Sequence, residues 1–548
     1  MSNERKKFWM EILQLPIDSK NLLVKDYINN QNESLFHYSF HSEEDWKLRY
    51  TELMGRVFPR KQLTNYIRNF MKSYSITDEI EQSLVKLEDE KSVVVIGGQQ
   101  AGLLTGPLYS IHKMISIVLL AKEKEKELGV PVVPVFWIAG EDHDIQEVNH
   151  VYYSNGEKLV KSVFHQKWMS DKQMVSKIQL DKDRLKSWYE NIVASFGETE
   201  HSRIIIQFLN NCLSESTTFT QFFTSITNEL FKHYGLLLVD SADSELRKIE
   251  RDFFQTLIHS GQDITKRLLS QQNELRNQGY TTIIETQETS LQLFLEVNGE
   301  RFLLHHDEET NSVKGRNSLF SYEDLSLKLE SNPELFSNNV VTRPLMQEYL
   351  FPTLAFIAGP GEISYWAELK QCFEMFNIKL PIIIPRLNIT LLERDIEADM
   401  KSLSLSLEKV LTSGVSTEKN LKVKELLDSD LEQFIIKKKQ EILERYEEVI
   451  KKVEQFDKGL EPIVKKNAQF IISQLNYLER KVEASVKSKH EVLLKKYDQI
   501  ELSLFPLNGL QERCWNIFYF LNQYGFSLID DLLQLPYQFN GSHYVVKI

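Results

Sequence analysis

Between residues 92 and 140 the chain reads strand, glycine-rich connection, helix, strand, and few folds accept that order. Ser92–Ile96 is a short β-branched run suited to a buried strand. It leads into Gly97-Gly98-Gln99-Gln100-Ala101-Gly102, read as a loop that lets backbone approach a ligand closely. Pro107 can open a helix, and Leu108, Ile111, Ile115, Val118 and Leu119 follow at helical spacing. Lys122–Glu127 is a charged turn and Gly129 a stop. A second apolar run, Val132–Ile138, ends at Gly140. Strand, crossover helix and strand form the βαβ unit of a parallel sheet, so the expected class is α/β. Ligands in such sheets sit at the carboxyl ends of the strands.

Further strands are expected at Leu236–Val239, with Ser241 or Asp243 capping the next helix, at Thr353–Ile357 before Gly359-Pro360-Gly361-Glu362, and at Pro381–Ile384. Leu291–Val297 and Arg301–Leu304 flank Asn298-Gly299, a hairpin signal inside a parallel architecture. That points to inserted subdomains, at about 151–230 and 285–340. Residues 393–503 are different, rich in Lys and Glu and nearly without Gly or Pro. Ile442, Tyr446, Val449, Val453, Phe456 and Leu460, then Val464, Ala468, Ile471, Leu475, Leu478 and Val482, step by four and three. Asp457, Gly459 and Pro462 interrupt them, as expected of two long antiparallel helices joined by a turn. Such a hairpin either pairs with a second copy, giving a homodimer, or stands as a monomeric arm. The division expected is a core over 1–392, a coiled coil over 393–503, and a segment over 504–548 packing back on the core. In that last segment Trp515, Phe518, Tyr519 and Phe520 read as core packing, or as a stack for an adenine ring.

A length of 548 residues suits two or three domains, and 42% hydrophobic with 26% charged residues is an ordinary globular balance. The net charge of −13 argues against binding nucleic acid by bulk electrostatics. Cys212, Cys372 and Cys514 are far apart and read as reduced, packed thiols. There is no run long and apolar enough for a membrane helix, and the N-terminal stretch lacks the pattern of a signal peptide, so a cytoplasmic location without membrane attachment is expected.

Three groups of residues carry candidate chemistry. His112 falls on the inward face near a helix start, where backbone N–H groups and the dipole favour phosphate; taken alone it reads first as a core histidine, and the glycine-rich stretch before it turns the reading toward phosphate. Gly106-Pro-Leu108-Tyr-Ser-Ile-His112 also resembles the G-x-L-H-x-G-H signature of class I aminoacyl-tRNA synthetases and nucleotidylyl transferases, with Tyr109 and Ile111 departing from it. Glu141-Asp142-His143-Asp144 places four polar residues at one strand end. They suit an amino group, a general base or a divalent ion, or form an ordinary capped loop. Arg343, Gly359–Glu362, Tyr365 and Arg386 suit a small carboxylate, or make surface ion pairs. No metal is expected, because no ligand set of ordinary spacing is present.

Together, GGQQAGLLTGPLYSIHK (97–113), PVFWIAGEDHDIQEVNH (134–150), RPLMQEYLFPTLAFIAGPGEISYWAEL (343–369) and LQERCWNIFYFLNQYG (510–525) resemble the bacillithiol biosynthesis cysteine-adding enzyme family over essentially the whole chain. The resemblance implies a Rossmann-like core like that of class I synthetases, with connecting-peptide insertions and a coiled-coil domain for dimerisation. It also implies a ligase that adds cysteine to the amino group of glucosaminyl-malate, through a cysteinyl carboxyl activated by ATP. On that footing Gly97, Gly98, Gly102 and Gly106 would hold phosphate with His112. Asp142 or Asp144 would hold the cysteine ammonium or take a proton from the attacking amine, with His143 also catalytic. Gln99, Gln100, Thr105, Tyr109, Lys113, Trp137, Glu141, Arg343, Gly361, Glu362, Tyr365 and Arg386 would contact the substrates, Arg343 or Arg386 binding the malate carboxylates. The chain departs from the class I pattern after Pro385-Arg386-Leu387-Asn388, where no lysine-rich loop follows. A different class I-like nucleotidylyl transferase or ligase, or a non-catalytic coiled-coil scaffold, are the competing readings.

Overall fold

The computed structural model describes residues 10–167, 170, 172–316, 318–427 and 429–548. The N-terminal residues read above for a signal peptide therefore lie largely outside the described ones. The chain forms two units: residues up to Leu391 together with Gln511–Ile548, and Leu392–Leu510.

The centre of the first unit is a parallel sheet of β1 (Val93–Gln99), β2 (Val132–Ile138), β3 (Leu237–Asp240), β4 (Thr353–Ala358) and β5 (Ile382–Pro385). Their spatial order is β3-β2-β1-β4-β5, all parallel. The apolar strand residues are buried throughout, which explains continuous runs such as Val93–Ile96 in place of alternation. α1 (Leu108–Leu128) crosses from β1 to β2, and Ile111, Met114, Ile115, Ile117, Val118 and Leu120 are all buried. Before the charged run that starts at Lys122 the helix is apolar and covered on nearly every side. It stops at Gly129, whose φ of +66° is the left-handed cap that glycine adopts without a Cβ clash. α2 (Ser244–Asn277) follows β3, its first turn capped by the Asp243 side chain.

Strand order reverses between β1 and β4, since the chain moves outward to β2 and β3 and then returns to the other side of β1. The crevice between two such strands at their carboxyl ends is the usual ligand position. The first insertion region carries a hairpin, His150–Ser154 with Leu159–Val163, and three helices ending at Phe231. The second holds a five-stranded antiparallel sheet whose central hairpin, Ser290–Val297 with Glu300–Asp307, turns at Asn298 and Gly299. Both turn residues have positive φ, 56° and 79°, as a two-residue turn of this hand requires.

Three corrections concern layout. Gly97, Gly98 and Gln99 belong to no loop: they continue β1, paired with Phe136, Trp137 and Ile138. A Cβ on Gly98 would stand 2.9 Å from the Trp137 carbonyl oxygen, so glycine here permits close strand packing. The strand Glu11–Leu15 was not anticipated; it joins a three-stranded sheet in which His543–Lys547 lies between it and Asn388–Leu392. The returning segment enters the first unit at Gln511. Trp515, Phe518 and Phe520 are buried there as core.

In the second unit α5 (Ser429–Phe456) and α6 (Glu461–Lys489) pair antiparallel. Lys439 bonds Glu479 and Tyr446 bonds Asn467, the reversed order such a pair demands. Of the expected seam, Ala468 is buried, whereas Val449, Phe456 and Leu478 are exposed. Two helices alone cover only one side of a stripe this wide. No helix among the described residues is long and apolar enough to cross a membrane.

Candidate active site

A cavity of about 320 Å³ opens where the strand order reverses. The end of β1 supplies Gly98, Gln99 and Gln100, and the end of β2 supplies Trp137, Ala139 and Asp142. The turn after β4 supplies Gly359, Pro360, Gly361 and Glu362. Tyr109 and Lys113 come from α1, Arg343 from α3 (Thr342–Leu350), Tyr365 from α4 (Pro360–Glu368) and Arg386 from the residue after β5. Twelve of these fifteen residues are among those expected to hold phosphate, substrate or the catalytic groups, and they meet in one place.

Lys113 is buried, and burial lowers its pKa although the facing Glu362 pulls it up. Its ammonium donates to Gly98 O at 2.6 Å, Gln99 Oε1 at 3.2 Å and Glu362 Oε2 at 2.5 Å. The same Glu362 oxygen accepts the Gly359 N–H at 2.7 Å, closing the first turn of α4. One ammonium thus ties the end of β1 to the start of α4, and all three of its protons are used.

Arg343 donates through Nε to Glu141 at 2.9 Å and through Nη2 to Asp142. Burial raises the Asp142 carboxyl, but Arg343 and Arg301 outweigh it and hold the pKa below the ordinary value. Asp142 is therefore a fixed negative charge on the cavity wall. Glu141 faces away: fully buried, it accepts from Arg247 at 2.5 Å and from the Asn338 N–H at 3.0 Å. Arg247 in turn bonds Glu250, which burial pushes up to about 7. Asp142, Arg343, Glu141, Arg247 and Glu250 make one buried chain of alternating charge behind the cavity.

Arg386 clasps Glu512 with two bonds, 2.7 and 2.8 Å. Burial opposes ionisation of Glu512, but Arg386 and His112 hold its pKa far below the usual range. His112 Nδ1 lies 3.2 Å from Glu512 Oε2, and burial lowers the imidazole pKa.

Several expected site residues therefore stand elsewhere. His112 is buried behind the wall on Glu512 and does not line the cavity. The N-terminus of α1 is no phosphate seat: Pro107 has no N–H and Leu108 N–H donates to Trp515 O at 2.8 Å. Gly102, Thr105 and Gly106 form a tight turn behind it. Asn516 Nδ2 bonds Leu104 O and Gly106 O at 2.8 and 2.7 Å. Leu104, Thr105 and Gly106 all have positive φ, so this turn stores strain in the packing against residues 515–516. Gly97 is a strand residue against Ile117 and Ile357. Asp144 caps a short helix by accepting from Gln146 N–H at 3.1 Å. His143 meets Arg301 at 3.2 Å, and burial, with Arg301, lowers its pKa. No cluster of three or more His, Cys, Asp or Glu among the described residues is placed to hold a metal.

Sequence reasoning missed Arg301, Gln347, Glu512 and Arg513. Arg301 lies across the ring of Phe294, and burial lowers its pKa to about 10. Gln347 and Arg513 line the cavity. An i, i+4 step from Arg343 on one helix would have found Gln347. Nothing local marks residues 512 and 513, which reach the site only through the fold.

Two family models match the chain: the N-terminal Rossmann-like domain of bacillithiol biosynthesis BshC over residues 10–387, and its C-terminal coiled-coil domain over 389–548. A Geobacillus protein is 42% identical over 98% of this chain and all of its own length. A Bacillus licheniformis protein is 41% identical, with 98% of this chain and 100% of the relative covered, and a Bacillus cereus protein is 39% identical at the same coverage. All three are provisionally named cysteine ligase BshC. The chain therefore belongs to the bacillithiol-biosynthesis BshC family and is a ligase.

Proposed function

We propose that this ligase joins the carboxyl group of cysteine to the amino group of glucosaminyl-malate, in the cavity at the reversal of strand order. The observation that carries the reading is the pairing, on one wall, of a fixed carboxylate with nearby guanidinium groups. Asp142, kept ionised by Arg343 and Arg301, suits the cysteine ammonium. A carboxylate whose pKa is held below the ordinary value is a weaker base than a free one, which suits holding an ammonium better than proton abstraction. The guanidinium-rich side suits the malate carboxylates. Orientation of amine and carboxyl within a small cavity supplies much of the advantage of such a reaction.

Amide formation needs an activated carboxyl, and ATP is proposed as its source. The phosphate seat expected at Gly97–His112 does not fit: its strand, turn and helix start are occupied by their own packing. No step is therefore assigned to phosphate contacts there. Cysteine-dependent exchange of pyrophosphate into ATP tests the activation separately.

The decisive assay incubates the protein with cysteine, glucosaminyl-malate and nucleotide and follows bacillithiol by mass spectrometry. A strain lacking the protein should accumulate glucosaminyl-malate and contain no bacillithiol; normal bacillithiol there would refute the reading. We also propose that the exposed stripe of Phe434, Leu443, Phe456, Ile463 and Phe470 pairs with a second copy.

A further inference from the structure

Four cationic side chains line the cavity: Lys113, Arg343, Arg386 and Arg513. Three are already neutralised by carboxylates of the protein. Lys113 sits 2.5 Å from Glu362, Arg343 is held by Glu141 and Asp142, and Arg386 is clasped by Glu512. Arg513 is exposed and pairs with no carboxylate among the described residues. The cavity wall thus has one guanidinium in surplus.

The backbone beneath that side chain is firmly held. Gln511 exchanges two bonds of 2.8 Å with the backbone of Leu391. Glu512 is locked on Arg386, and Trp515 and Asn516 bond the turn before α1. Arg513 and Tyr109 line the same cavity; burial raises the pKa of the Tyr109 phenol, and the charges of Arg386 and Arg513 hold that rise back. A rigid base with an uncommitted planar donor is the preorganised form of a carboxylate receptor.

We infer that Arg513 receives a carboxylate of the acceptor substrate, an aliphatic dicarboxylate unit, and so sets acceptor specificity. The inference rests on the reading under Proposed function. Of the two substrates, cysteine has one carboxylate, and it must stay open to activation. The malate carboxylates take no part in bond formation, so a bidentate clamp can hold them through the whole reaction. Lys113 has no proton to spare, and Arg386 and Arg343 would have to leave buried partners to do the same.

The test compares Arg513→Gln and Arg513→Lys with the unaltered full-length protein. In turnover, Arg513→Gln should raise the KM for glucosaminyl-malate about 10- to 100-fold, the loss of one charged hydrogen-bonding contact, with kcat and the KM for cysteine little changed. Arg513→Lys should recover part of the loss, because it keeps the charge but not the fork. Calorimetry with L-malate alone, which needs no turnover, should show binding to the unaltered protein and weaker binding to Arg513→Gln. Equal melting temperatures confirm that folding is unaffected. Unchanged acceptor KM and unchanged malate binding overturn the assignment, as does a rise confined to the KM for cysteine. If no bacillithiol forms but malate binding still depends on Arg513, the acceptor reaction fails and the carboxylate receptor stands.

Discussion

Glu512 holds two side chains at once, the Arg386 guanidinium and the His112 imidazole, all three buried. Replacing it by Gln leaves a buried guanidinium without its counter-charge, a change that costs on the order of 3 kcal/mol. A lower melting temperature for Glu512→Gln, measured at pH 7, checks this. The sign with pH is also fixed. Glu512 is ionised in the folded state well below its unfolded pKa, so its contribution is present above about 4.5 and fades as pH falls. Asp240 works in the opposite sense. Burial pushes its carboxyl up to about 7, so the folded state binds more protons than the unfolded one between about 4 and 7. Stability conferred by Asp240 therefore declines as pH rises through that window, by up to about 4 kcal/mol. Asp240→Asn should flatten the melting-temperature profile between pH 5 and pH 8; an unchanged slope would contradict it. At this scale the sequence was informative where chemistry is local. Asp142, Lys113 and Glu362 lie beside strand ends that can be read from apolar runs and glycines. It misplaced His112, since helical spacing reports an inward face but not what lies inward, and Glu512 is 400 residues away.

The parallel sheet was legible because each strand is a continuous apolar run bounded by glycine, proline or aspartate. The order of the strands was not, because order is set by pairing between distant segments. Gly97 and Gly98 illustrate the limit: glycine in sequence marks either a loop or a close backbone approach, and here neighbouring strands decide for the second. The turn at residues 103–107 is the element most dependent on a remote partner. Asn516→Ala removes both bonds to its carbonyls and should cost about 1–3 kcal/mol. Faster amide exchange at residues 103–108, with the rest of the sheet unchanged, is the measurement that checks it. The helical hairpin makes a separate prediction. Phe470 is exposed on α6, and Phe470→Asp should convert a dimer to a monomer with helicity retained. Light scattering with circular dichroism decides this; a protein that is already monomeric would remove the proposed pairing.

For the molecule as a whole, residues 511–548 belong to the first unit although the second lies between them and the rest of it. They bring Arg513 to the cavity, Glu512 onto Arg386 behind its wall, and the central strand to the three-stranded sheet. A chain ending at Leu510 should therefore fail in the first unit, not in the helical hairpin. Limited proteolysis should cut the truncated protein within residues 10–391 and spare residues 429–489; equal protection of both would contradict this.

That interrupted layout also sets an order of events during synthesis. Glu11–Leu15 and Asn388–Leu392 both hydrogen-bond to His543–Lys547, so neither has its sheet partner until the ribosome has passed the hairpin. At 5–20 residues per second the intervening stretch imposes a delay of roughly 10 s, with strand edges and an open cavity wall unprotected. A nascent Rossmann-like body must wait that long for its last pieces, and chaperone dependence should concentrate in that interval.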